Sequence, residues 1–536
     1  MLDKRLMKKM AVLSVAIIIA TTAALPLDIV GAKSEMLNMS YIYFGNSSQY
    51  IEQVASTQDS LNIISPNYFN IDENGDLLLT NAIDKDFISE MHNQNIQVIP
   101  FLSNHWDREL GRLALKNREN LVEDICEVIE EYDLDGINVD LENLTHSDRY
   151  DYVKFVKQLD RKLPSNKVIS VAVAPNPRGL EKGWQGSYDY KDLARYSDYL
   201  VIMTYDESYP GGPAGPVASI GFVEESIEYA LEEVASEKIL LGIPFFGRFW
   251  NEEEGIKGQG ISISTINKLI EEYDSEITFD KKKQVPKVTI SIKEDDKKAY
   301  LGGKELNAGE YTIWYENDHS IKRKLRLVQE YDLKGTASWS LGQEDKSIWD
   351  YYDLWLNGQY FYDIDKHWAN ESILDMTSKG WVQGTSNVTF SPDESLTRAQ
   401  AAVVLVRALE LEDKGKNLKF KDIPDNYWAK EEINIASQHG IVKGYENGRF
   451  LPEKAITREE MAVILDRILS KSHKIRARGV NYKDVDNSRW SYESISKMTS
   501  EGIFIGFEDN TFRPTENITR GQMAALMDRI SFYIEQ

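Results

Sequence analysis

The chain has 536 residues, 42% of them hydrophobic, and carries a formal net charge of −24. That length exceeds a single core and calls for roughly two to four domains. The composition excludes wholesale disorder, and the negative field excludes nucleic acid or an anionic membrane as a partner held by general attraction.

The N-terminus has the layout of a secretory leader over residues 1–32. Lys4, Arg5, Lys8 and Lys9 form a basic region, residues 10–25 an apolar run, and Val30-Gly-Ala32 a cleavage site. The run is short for a membrane span of ~20 residues. An uncleaved N-terminal anchor is the alternative. No later segment is apolar enough to span a bilayer, so export without a transmembrane segment after cleavage is the expectation. The one cysteine, Cys126, excludes an intrachain disulfide. It lies in an amphipathic helical pattern, where a small buried hydrophobe is expected.

Residues 37–357 alternate short apolar strands with helical patterns. Strands are predicted at 40–44, 61–65, 97–102, 136–142, 168–174, 199–205, 239–244 and 336–340, and helices between most of them, for example at 149–163 and 223–234. This order predicts an α/β fold, a (β/α)8 TIM barrel. Residues 251–311 carry two alternating runs, Val288-Thr-Ile-Ser-Ile and Tyr311-Thr-Ile-Trp-Tyr, with the turn signal Leu301-Gly-Gly-Lys between them. They predict a small β-rich insertion between strands seven and eight, forming one wall of a groove.

Residues 135–142 read Asp-Gly-Ile-Asn-Val-Asp-Leu-Glu. On a strand, Ile137, Val139 and Leu141 share one face and Asn138, Asp140 and Glu142 the other. The apolar face suits packing under helices and the polar face suits a barrel lumen. Two buried carboxylates and an amide cost several kcal/mol unless they bond one another, and such a column is kept for chemistry. Glu142 lies last, at the C-terminal strand end where barrel active sites form. The alternatives are an acidic strand end in water and a cation site. The latter lacks a histidine, and two carboxylates fall short of the oxygen ligands a hard cation needs.

From Tyr362 onward one pattern occurs three times. Trp368, Trp428 and Trp490 recur after 60 and then 62 residues, as do Gly384, Gly444 and Gly506. Three helical repeats are expected, at 360–412, 418–472 and 480–536. Thr397-Arg-Ala-Gln400, Thr457-Arg-Glu-Glu460 and Thr519-Arg-Gly-Gln522 each fit a capping box. Capping leaves Arg398, Arg458 and Arg520 unexplained. Beside free N–H groups at helix starts they would make three anion sites; the alternative is a solvated surface arginine.

The segment 135–142 resembles the catalytic signature of family-18 glycoside hydrolases, the chitinases and endo-N-acetylglucosaminidases. Met203-Thr-Tyr205-Asp206 and Trp339 support this. Gly215-Pro-Val-Ala-Ser219 and Gly242-Ile-Pro-Phe-Phe-Gly-Arg248 resemble the bacterial branch acting on spore cortex and cell wall. The repeats resemble S-layer homology (SLH) domains, which hold exported proteins on Gram-positive walls.

The resemblance implies a secreted, wall-attached hydrolase of β-1,4-linked N-acetylglucosamine polymers, chitin or peptidoglycan, needing no cofactor and no metal. Family 18 uses the substrate's 2-acetamido group as nucleophile. Glu142 would be the general acid, Asp140 would orient the acetamide, and Tyr205 would bond its oxygen. Asn138, Met203, Asp206 and Trp339 would contact the sugar, with Trp339 as floor of the −1 subsite. Many family members have Asp at the position of Asn138. With Asn there, Asp140 is expected to keep its negative charge more simply. Arg398, Arg458 and Arg520 would contact an anionic, pyruvylated wall polysaccharide. Gly384, Gly444 and Gly506 would allow its close approach or serve as plain turn glycines, and Glu459 would weaken the second repeat. A non-catalytic sugar-binding or structural wall protein on the same fold is the alternative function.

Overall fold

A computed structural model describes residues 36–301, 304–364, 366–415, 420–471 and 475–534. The expected secretory leader lies outside the described residues.

Parallel strands form Leu37–Ile42, Ile63–Pro66, Gln97–Val98 resuming as Phe101–Ser103, Gly136–Asp140, Val168–Val173, Tyr199–Ile202, Ile239–Pro244 and Gly335–Trp339. The first pairs with the last, Leu37 opposite Gly335. The third strand is interrupted because Pro100 has no N–H for the ladder. The interruption still serves both neighbours. Ile99 N donates to Ile64 O at 3.0 Å, and Pro100 O accepts from Asn138 N at 2.9 Å. The 11-stranded sheet therefore curls, with the two ends of its pairing order adjacent in sequence.

Alternation sets its two faces. Ile137, Val139 and Leu141 are fully buried in one core with Leu121, Ile125, Val156 and Leu159 of the covering helices. Met39, Tyr41, Ile63, Phe101, Val201 and Leu240 form a second cluster on the concave face. The helix Arg118–Glu131 carries Cys126, half-buried rather than fully so. A hairpin of Phe69–Ile71 and Leu77–Leu79 widens the sheet. Its Asn74-Gly75 turn was the available signal.

The insertion starts earlier than expected. Phe246–Asn251 pairs with both Ile256–Ser262 and Gly309–Trp314, within a five-stranded antiparallel sheet. A helix, Ile263–Glu272, packs on it. Ala299–Leu301 and Lys304–Leu306 pair across residues 302–303, which lie outside the described residues.

The three repeats close on one another in a ring. Leu396 N donates to Ile518 O, Ile518 N to Ile456 O, and Ile456 N to Leu396 O, at 2.8, 2.9 and 3.0 Å. Each repeat is braced by an aspartate, Asp363, Asp422 or Asp484, which accepts two backbone N–H groups. The helices Arg398–Ala408 and Arg458–Leu469 begin with the expected capping boxes. The repeats dock on the α/β region, where Lys322 donates to Asn387 and Asn387 to Asp318. Among the described residues no helix is long and apolar enough to cross a membrane.

Candidate active site

The strand Gly136–Asp140 delivers Asp140 to the concave face, and Glu142 follows two residues later. Buried Asn104 clamps the Glu142 backbone: its Oδ1 accepts from Glu142 N at 2.8 Å and its Nδ2 donates to Glu142 O at 2.9 Å. Tyr188 Oη donates to Leu141 O. The main chain that carries the Glu142 carboxyl is thereby fixed although it lies beyond the strand end.

Asp140, Glu142, Met203, Tyr205, Asp206 and Trp339 all line one cavity of about 350 Å3 at the C-terminal ends of the strands. Trp339 packs on Tyr41 and Phe101, with ring centroids 5.3 and 6.0 Å apart, and sits at the mouth. Tyr205 meets the insertion through an edge contact with Phe246. Asp206, at φ +60, holds Arg248 by two hydrogen bonds of 2.8 and 2.7 Å.

The electrostatics follow from burial. Asp140 Oδ1 is buried with no hydrogen-bond partner among the described residues. Burial pushes the Asp140 carboxyl up to about 7. Burial, then the charges of Asp140 and Asp206, drive Glu142 well above the usual carboxylate range. Tyr205 is raised by the same surroundings and stays a neutral donor. Protons on Asp140 and Glu142 belong to the pair.

Asn138 departs from expectation. It is fully buried and does not line the cavity. Its Oδ1 accepts from Tyr41 Oη at 3.1 Å and its Nδ2 donates to Ser170 Oγ at 2.8 Å. Its amide is thus spent away from Asp140, whose carboxyl gains no hydrogen bond from it.

The arginines of the repeats also differ. Arg398, Arg458 and Arg520 are buried, and each reaches into another repeat. Arg398 donates to Phe450 O and Lys443 O, Arg458 to Phe512 O and Ile505 O, and Arg520 to Phe390 O and Gln383 O. The N–H groups at the helix starts are occupied as well: Arg398 N donates to Lys454 O, Arg458 N to Glu516 O and Arg520 N to Glu394 O. They are not free for an anion. Each arginine therefore lies beside the glycine of a neighbouring repeat, and Arg520 and Gly384 line one cavity of about 120 Å3. The glycines face rings of their own repeats. A Cβ on Gly384 or Gly444 would lie 2.5 Å from Cε1 of Phe361 or Phe420, and on Gly506 2.2 Å from Cε1 of Tyr482. Ring packing requires glycine at all three positions. Glu459 is paired with Arg489 and Ser491, so its charge is not directed at an anion.

Sequence reasoning missed Asn104, Tyr41 and Arg248 as site residues. Arg248 stood at the end of the quoted Gly242–Arg248 run. Asn104 and Tyr41 carried no local pattern.

Comparison with known proteins places this arrangement. The glycosyl hydrolases family 18 pattern matches residues 39–344, and the S-layer homology domain pattern matches 360–402, 419–462 and 481–524. The cortical fragment-lytic enzyme of Bacillus subtilis (strain 168) is 28% identical over 291 residues, 52% of this chain and 64% of that one. The cellulosome-anchoring protein of Acetivibrio thermocellus is 33% identical over 157 residues, 28% of this chain and 35% of that one. This chain thus spans less than two thirds of the length of either relative. Among solved structures, a chitinase from Chromobacterium violaceum matches with a TM-score of 0.52 at 25% identity, covering 59% of this chain and 97% of that one. The Bacillus cereus spore cortex-lytic enzyme SleL matches in fold with a TM-score of 0.53 at 22% identity, over 61% and 75%. The chain belongs to the glycosyl hydrolases of family 18, with three S-layer homology domains following its hydrolase domain.

Proposed function

We propose that this protein is a wall-attached glycosidase that cleaves β-1,4-linked N-acetylglucosamine polymers by substrate-assisted, retaining chemistry. The curled sheet is read as a complete (β/α)8 barrel over residues 37–357, with its site at the C-terminal strand ends.

The observation that carries the reading is the pair Asp140 and Glu142 in one cavity, both raised by burial. Glu142, protonated, gives its proton to the glycosidic oxygen as the bond to C1 breaks. The acetamide oxygen of the same sugar attacks C1 and forms an oxazolinium ion. Asp140 orients the acetamide N–H and balances the growing positive charge; its unpartnered Oδ1 suits that task. Tyr205 donates to the acetamide oxygen. Glu142, now ionised, takes a proton from the water that opens the ring, so both steps use one acid–base group. Trp339 stacks under the sugar, and Met203 fills the wall beside it.

The repeats hold the protein at the cell surface by binding an anionic wall polysaccharide. Arg520 with Gly384, and Arg398 with Lys443 and Tyr445, line clefts between repeats suited to a carboxylate-bearing sugar. Residues 1–32 are the export leader and are removed.

The test compares N-acetylated and de-N-acetylated glycan of equal length. Hydrolysis is expected on the acetylated polymer alone. Equal rates on both would overturn the substrate-assisted mechanism.

A further inference from the structure

A second cavity, of about 570 Å3, opens beside the active site. Three chain segments join them. Gln343 lines the first cavity and its neighbours Gly342 and Glu344 line the second. Ser262 lines the first, Ser264 lines the second, and their hydroxyls meet at 3.1 Å. Gln53 of the second donates to the carbonyl of Phe44 in the first.

The two cavities differ in chemistry. The first presents the rings of Tyr41, Phe44, Tyr205, Phe246 and Trp339. The second is lined by no aromatic residue. The helix Ser47–Ala55 supplies Glu52 and Gln53, the insertion helix Ile263–Glu272 supplies Lys268 and Glu271, and Lys346 adds a second cation. Glu344 and Asp345 also line it; Glu344 accepts from Gly342 N and Trp349 Nε1 and feels the charge of Lys346, and Asp345 accepts from Ser347 N and Asn267 Nδ2. Among the described residues Glu52, Lys268, Glu271 and Lys346 make no ion pair of their own. Gln53 Oε1 is buried and without a hydrogen-bond partner there.

Flat sugar faces are recognised by rings. A ring-free cleft with unpaired charges of both signs and an orphaned amide acceptor suits a branch bearing carboxylates, an ammonium group and backbone N–H donors. We propose that this cavity holds the peptide arm of a peptide-substituted glycan, so that the substrate class is peptidoglycan rather than unsubstituted N-acetylglucosamine polymer. The inference rests on the glycosidase reading above and deepens it. Lys268 and Lys346 take peptide carboxylates, Glu52 and Glu271 its ammonium group, and Gln53 Oε1 accepts a peptide N–H.

The experiment uses soluble tetrasaccharides of alternating N-acetylglucosamine and N-acetylmuramic acid, with and without a tetrapeptide. Wild type is expected to show kcat/KM about tenfold higher on the peptide-bearing form. The double variant Lys268→Ala/Lys346→Ala is expected to bring the two substrates within about twofold of one another at an unchanged melting temperature. Equal kcat/KM for both in wild type, or an equal loss on both in the variant, would overturn the assignment. Calorimetric binding of both glycans to the Glu142→Gln protein separates the two readings. If neither glycan is cleaved, the hydrolytic reading fails, while tighter binding of the peptide-bearing form still supports the cavity assignment and equal affinities refute it.

Discussion

Asp206 and Arg248 join the sheet to the insertion by two parallel hydrogen bonds, 2.8 and 2.7 Å long, at the rim of the cavity that holds Asp140 and Glu142. Arg248 is held further by donating to Gly258 O. This fork fixes the insertion over Glu142 and offsets the Asp206 charge that raises Glu142.

Replacing Arg248 with Met removes charge-assisted bonds worth about 1.5–3 kcal/mol. We expect a lower melting temperature and a fall in kcat/KM of about tenfold or more. With Asp206 left uncompensated, the alkaline limb of the pH–rate profile should move upward. A profile identical to wild type would show that the pair does not act on Glu142.

Stability should depend on pH through the same carboxyls. Asp140 rises on folding from 3.8 to about 7, and Glu142 also rises. The folded protein therefore keeps protons that the unfolded chain releases as pH passes from about 4 to about 7. Stability falls as pH rises through that window. Asp140→Asn should melt higher than wild type at pH 8, and the difference should vanish near pH 4. Thermal melts across this range test it; a wild-type advantage at pH 8 would contradict it.

Asn104 is a positioning residue for Glu142. Asn104→Ala should lower kcat by ~10–100-fold with KM little changed, since a small misplacement of the acid affects the transition state more than binding. Asn104→Asp restores only the acceptor half of the clamp and should recover part of kcat. A drop confined to KM would reassign Asn104 to substrate binding.

The repeat ring is closed by Arg398, Arg458 and Arg520. Each →Ala change should cost about 2–3 kcal/mol, because two carbonyls lose a charged donor. Each →Lys change should rescue little, since an ammonium lacks the planar fork that spans both carbonyls. Calorimetry reads the loss, and glycan hydrolysis by the same variants should be unaffected.

Local patterns were legible and long-range contacts were not. The alternation in 135–142 placed Ile137, Val139 and Leu141 on the helix side and Asp140 on the cavity side, because a strand's period follows from its backbone. The parallel strands were found within a few residues, and the Thr-x-x-Gln/Glu caps within the repeats. The Asn104 clamp on Glu142 spans 38 residues and the Arg520 bond to Phe390 spans 130. No periodicity encodes such pairs. Arg398 and Gly444 recur at fixed spacing within their repeats, yet meet across them. The surroundings of Asp140 depend on the same kind of contact: Asn138 turns its amide to Ser170 and Tyr41, partners set only by the fold.

The proton donor proposed for the reaction is Glu142. It is tested most directly by kcat for Glu142→Gln on acetylated wall glycan, with thermal melting to confirm folding. A folded protein with kcat reduced at least ~10²–10⁴-fold is expected. A folded Glu142→Gln protein that cleaves the glycan at the wild-type rate would contradict it.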